Sequence, residues 1–136
     1  MSKRPGYFYQ QSGVIPFRKR NGKLELLMVT STKKKRWVIP KGVKERHLSA
    51  KKSALKEAWE EAGIRGKISR PPIGAYRYRK WGGVCTVQVY AMEVSKVFRH
   101  WEESFRDRKW FTHREALQCI KGKDLQRIVR QLPDFI

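Results

Sequence analysis

Residues 11–17 are mostly apolar and predict a strand, and Asn21-Gly22 supplies the turn after it. The run Leu24-Glu25-Leu26-Leu27-Met28-Val29 predicts a second strand, buried on both faces. A basic loop (Lys33-Lys34-Lys35-Arg36) leads to a short apolar segment (Trp37-Val38-Ile39-Pro40), and residues 41–48 read as loop. Over residues 49–62 the period becomes helical, with Ser49 as N-cap and Gly63 as the stop. Residues 73–78 and 84–94 predict a long hairpin with Trp81-Gly82-Gly83 near its tip. In its second arm Val87, Val89 and Ala91 face one way, Gln88 and Tyr90 the other. Residues 109–112 predict a short strand, and 114–120 and 124–132 predict helices. The order β-β-β-α-β-β-β-α implies an α/β chain of the α+β type, a mixed sheet with helices packed on it.

Composition narrows the class. A chain of 136 residues has room for one domain, and 40% apolar with 12% aromatic residues suffices for a packed core, which excludes outright disorder. Thirty-two Lys and Arg stand against 12 Asp and Glu, a net charge of +20. Such a surface attracts polyphosphates, nucleic acid or anionic membrane. No apolar run reaches the roughly 20 residues that span a bilayer, so no membrane partner is expected. Residues 1–6 have no apolar segment behind their charges, so no secretory signal is expected either. Cys85 and Cys119 show no metal-site spacing and predict reduced thiols in a cytoplasmic protein. The chain has no Walker loop, dinucleotide fingerprint or nucleophile elbow.

With so few acids, three crowded together need a reason. At about 100° per residue, Ala54, Leu55, Ala58, Trp59 and Ala62 form an apolar face, and Glu57, Glu60 and Glu61 share an arc opposite it. Two readings fit: a solvated face on which Lys56 bridges Glu60, or a cradle for a divalent cation that also meets substrate phosphates.

From Gly42 to Ile64 the sequence resembles the Nudix box. Gly42, Glu57, Glu60, Glu61, Gly63 and Ile64 fall on its positions at the right spacing. The flank Arg36-Trp37-Val38-Ile39-Pro40-Lys41-Gly42 is similar to that of the diphosphoinositol polyphosphate and diadenosine polyphosphate hydrolase branch, as are Trp101-Glu102-Glu103-Ser104 and Arg108-Lys109-Trp110-Phe111. The resemblance covers about residues 8–125. Two positions depart from the box: Leu48 replaces its first Glu, and Lys56 its Arg. In the family that acid and base brace the loop against the helix; here an apolar Leu48 contact would replace the ionic brace.

The resemblance implies a Nudix fold, a mixed sheet sandwiched between helices, and hydrolysis of a phosphoanhydride with Mg²⁺, Mn²⁺ being the alternative. It implies Glu57 and Glu61 as metal ligands, the main-chain carbonyl of Lys41 as a third oxygen, and Glu60 as proton acceptor. Glu102 and Glu103 are either solvated loop acids or a base outside the box. Substrate phosphates would meet Ser31, Thr32 and Arg36, with Arg79, Lys80 and Arg106 as further candidates. Tyr76, Tyr78 and Trp81 alternate with Arg77, Arg79 and Lys80, which suits either base stacking or a cross-strand aromatic cluster. The expected substrate is an anionic small molecule, polyphosphorylated or nucleoside-diphosphate-linked, of the diphosphoinositol polyphosphate or dinucleoside polyphosphate type, with ADP-ribose-type molecules next, handled by a monomer or homodimer. The rivals are an RNA 5′-end pyrophosphohydrolase and a non-catalytic module that binds nucleotide or RNA.

Overall fold

A computed structural model describes residues 3–136; Met1 and Ser2, the start of the N-terminal segment read above, lie outside the described residues. After a 3-10 turn (Gly6–Tyr9) come β1 (Gln10–Arg20), β2 (Lys23–Thr30), β3 (Trp37–Val38), β4 (Lys41–Val43) and α1 (Ala50–Glu57). A π-turn (Ala58–Ala62) follows, then β5 (Ile64–Ile68), β6 (Gly74–Lys80), β7 (Gly83–Val97), β8 (Arg108–Thr112), α2 (His113–Cys119) and α3 (Lys123–Gln131).

The parallel pair β1–β7 is the spine of one mixed eight-stranded sheet. β4 and β6 flank one end of this pair and β2 and β5 the other, all antiparallel to it. β3 and β8 extend the sheet from β2. Two hairpins close through residues with positive φ at both central positions, Asn21-Gly22 and Trp81-Gly82, the geometry that matches strand twist. Trp81 tolerates it because Tyr9 donates its hydroxyl to the Trp81 carbonyl at 2.7 Å and Phe8 packs edge-on against the indole.

Helices cover both faces. The residues of β2 alternate between the two cores: Leu26 and Met28 meet the α2/α3 side, Leu27 and Val29 the α1 side. That explains its unbroken apolar run. Against the α1 side, Ala54, Ala58 and Ala62 are fully buried, and these small side chains let α1 lie close on the sheet. Trp59, expected in this face, instead packs edge-on against Phe98 at the flank.

Three expectations need correction. The helix expected over 49–62 is α-helical only to Glu57 and then widens into the π-turn. The loop expected over 41–48 contains β4, whose pairing with β1 runs through backbone alone. β5 was not expected: it has few apolar positions, and a bulge at Arg65/Gly66 interrupts its register.

Candidate functional site

Ser49 caps α1 by accepting from the Lys52 amide at 3.1 Å. The helix then delivers Glu57, and the π-turn delivers Glu60 and Glu61. Insertions of this type re-aim side chains where regular helix would not. They need their freed carbonyls satisfied, and residues 98–108 do this. The Glu60 carbonyl accepts from the Glu103 amide at 3.0 Å, that of Glu61 from Trp101 Nε1 at 2.9 Å, and that of Ala62 from Arg108 Nη1 at 2.6 Å. Gly63 has φ +63°, and a Cβ there would come within 2.6 Å of Trp101. Glycine is therefore required both for conformation and for space.

The three acids have different surroundings. Glu57 lies against Gly42, where any Cβ would overlap its carboxyl. Glu61 is 8% exposed and accepts from the Lys41 amide at 3.2 Å. Burial, followed by the charge of Glu60, pushes Glu57 up to about 7; burial, followed by the charge of Glu57, pushes Glu61 up to about 8. Two desolvated carboxyls that resist joint ionisation fit a site that takes a hard cation, since such an ion supplies the missing positive charge. The glycine cradle that seats Glu57 agrees with this. Glu60 instead faces Lys56 at 2.5 Å, and one oxygen each of Glu60, Glu102 and Glu103 lie within 4.8 Å of one another.

An ionic brace is present although Leu48 stands at the box's acidic position. Lys56 also reaches Glu45 at 3.4 Å, and the Glu45 amide donates to Ser53 Oγ on α1. Glu45 thus ties the loop before α1 to the helix from a neighbouring position.

A cavity of about 700 Å³ opens beside Glu61, and into it project Ser31, Thr32, Arg36, Lys41, Lys80 and Arg106. Lys33, Lys35 and Lys121 stand at the same cavity. Arg79 does not join them. β6 alternates, so Tyr78 and Lys80 point one way and Arg79 the other, into solvent. Arg106 does line the cavity but is already engaged: it donates to Glu103 at 2.8 Å and to the Thr30 carbonyl at 2.8 Å, and it lies 4.0 Å from Glu61. It supports the acidic cluster electrostatically. Tyr76 and Tyr78 stack on one another at 6.3 Å, with half-buried rings against the α2/α3 core, as a cluster on one strand face.

Sequence reading missed the side chains of Lys41 and Lys121 and the Glu45 brace. Lys41 had a signal, a cation immediately before the box glycine. Lys121 comes from the α2–α3 connection and had none.

A family model of the NUDIX domain matches residues 10–132. The chain belongs to the NUDIX family. It is similar to "Nudix hydrolase 12, mitochondrial" of Arabidopsis thaliana, 32% identical over 118 residues that cover 80% of this chain and 58% of that protein. The chain therefore spans about three fifths of the length of the Arabidopsis relatives it matches first. It is also similar to human "Diphosphoinositol polyphosphate phosphohydrolase 3-alpha", 31% identical with 86% of this chain and 74% of that protein covered. Among solved structures, C. elegans Ap4A hydrolase matches with TM-score 0.78 at 19% identity over 93% of this chain and 96% of that one, which shows a shared NUDIX fold. Among the described residues, no helix is long and apolar enough to cross a membrane.

Proposed function

We propose that this chain hydrolyses a phosphoanhydride bond in a polyphosphorylated small molecule with the help of Mg²⁺ or Mn²⁺. The observation that carries the reading is the pair Glu57 and Glu61, two desolvated carboxyls, of which Glu61 lines a cavity rich in cations. In this reading they hold the divalent ion together with the Lys41 main-chain carbonyl. The ion supplies charge neutralisation on phosphate oxygens and helps ionise water. Glu60, oriented by Lys56, accepts the proton of the attacking water. Arg36, Lys80, Ser31 and Thr32 bind the phosphates, and the crowd of cations favours a substrate with several of them. The named activities of the human and C. elegans relatives support diphosphoinositol polyphosphates and dinucleoside polyphosphates as candidates. The two unbridged cysteines suit a reducing compartment such as the cytoplasm.

One observation favours an RNA 5′ end as the second reading. Lys121 is shared between the main cavity and a groove lined by Tyr76, Arg77 and Lys123, a path along which a longer chain could run. Affinity that grows with RNA length would support it; equal affinity for mono- and oligonucleotides would remove it.

The test is phosphate release from a panel of diphosphoinositol polyphosphates, dinucleoside polyphosphates and ADP-ribose with Mg²⁺ and Mn²⁺. Wild type should release phosphate from at least one substrate class, and Glu57→Gln should lower kcat by about a hundredfold or more. No release from any substrate with either ion would leave a binding module as the reading.

A further inference from the structure

Lys41 lies on β4, opposite Gly13 of β1, and a Cβ at Gly13 would come within 2.8 Å of the Lys41 Cβ. The glycine thus gives the lysine stem its path to the cavity floor. There the ammonium donates to the Tyr78 hydroxyl at 2.9 Å and to Gln11 Oε1 at 3.5 Å, and it stands 4.4 Å from the centre of the Tyr78 ring. Both acceptors are neutral. An ammonium has three N–H groups, so one of them, and the whole of the charge, is left for the cavity. Among the described residues no carboxylate comes within 4.0 Å of Lys41 Nζ; the nearby Glu61 leans on Arg106 instead.

A cation withdrawn from water without an ion pair is costly unless an anion arrives. Nor is the lysine needed to satisfy its neighbours: Tyr78 already donates its hydroxyl to Gln11 Oε1 at 2.7 Å, and Gln11 Nε2 has the Phe8 carbonyl at 3.5 Å. The same residue's amide holds Glu61, so the cation is fixed in register with the acidic pair. Resting on the phosphoanhydride reading above, we propose that the Lys41 ammonium is the innermost anchor for a substrate phosphate, aimed by the hydroxyl of Tyr78 and the amide oxygen of Gln11. Arg36, Lys80 and the exposed lysines of the cavity would hold outer phosphates; Lys41 holds the one beside Glu61. Tyr78 and Gln11 are positioning residues.

The test is binding of inorganic tripolyphosphate to the full chain in EDTA by calorimetry, with thermal unfolding of the same variants. Working without metal separates this proposal from the hydrolysis reading, which phosphate release tests. Lys41→Met should weaken tripolyphosphate by about tenfold or more, as expected for a charge-assisted bond, and should leave Tm equal or higher because a desolvated charge has been removed. Lys35→Met, which removes the same charge from the cavity rim, should weaken binding only about twofold. Tyr78→Phe should weaken binding by about threefold in the presence of Lys41 and not at all in the Lys41→Met background. Equal losses in Lys41→Met and Lys35→Met, a fall in Tm with unchanged affinity, or no binding by wild type in EDTA would each overturn the proposal. Wild type that binds tripolyphosphate through Lys41 but hydrolyses nothing would leave the anchor standing and remove the enzymatic reading.

Discussion

At Gly42 a methyl group would take the volume that the Glu57 carboxyl fills. Gly42→Ala should therefore displace that carboxyl, lowering Mn²⁺ affinity by about tenfold, the scale at which misplaced ligands act. Calorimetry checks this; unchanged affinity would show that the Glu57 seat does not matter. Proton binding at the same pair sets a second expectation. In the unfolded chain these glutamates ionise near 4.5, whereas in the folded chain they do so near 7 and 8. The folded state thus binds more protons between these values, and the metal-free protein should lose stability as pH rises from about 5 to above 8. Adding Mn²⁺ should restore Tm mainly at the alkaline end, where the carboxyls are free of protons. Thermal unfolding at pH 5, 7 and 8.5, with EDTA and with Mn²⁺, measures both. The carboxylate trio was legible from its spacing, and its glycine, Gly42, from the resemblance to the Nudix box. The Lys56–Glu60 pair was legible too, at its i,i+4 spacing, but the settings of Glu57 and Glu61 were not, because they depend on Gly42, Lys41 and Arg106, which other segments supply.

Among the elements, the segment over residues 98–108 governs the site from behind. It satisfies three successive carbonyls of the π-turn through Glu103, Trp101 and Arg108. Trp101→Phe keeps a ring but deletes the indole donor, leaving the Glu61 carbonyl without it. It should cost about 1–3 kcal/mol in urea unfolding and loosen Mn²⁺ binding as the turn relaxes. A stability loss with no change in ion affinity would show that the segment supports the fold but not the site. The turn itself was hidden in the sequence: its apolar spacing reads as helix, and its widened geometry depends on donors some 40 residues away. β4 was hidden for a related reason, since three residues paired through backbone carry no alternation to read. β2 and β7 were legible because burial imposes its own pattern on long strands.

Across the whole molecule, seven basic residues of a chain with net charge +20 meet at one cavity, supplied by the β2–β3 loop, β4, β6, the β7–β8 loop and the α2–α3 connection. If it serves polyphosphate binding, KM should rise steeply between about 50 and 200 mM salt while kcat changes little, because screening acts on encounter and binding more than on the chemical step. Flat KM across this range would assign the charge to another role. The fold class, the helical layers and the location of the acids could be read from the chain. Which basic residues meet was legible in part: Arg36, Lys80 and Arg106 do line the cavity, whereas Arg79, adjacent to Lys80 in sequence, lies on the opposite face of β6. The most direct test of the central claim is titration of the metal-free protein with Mn²⁺ at pH 7 in two buffers of different ionisation enthalpy. The account predicts that wild type binds the ion with release of about one proton and that Glu61→Gln loses most of the affinity. An ion that binds wild type without proton release and Glu61→Gln just as tightly would contradict it.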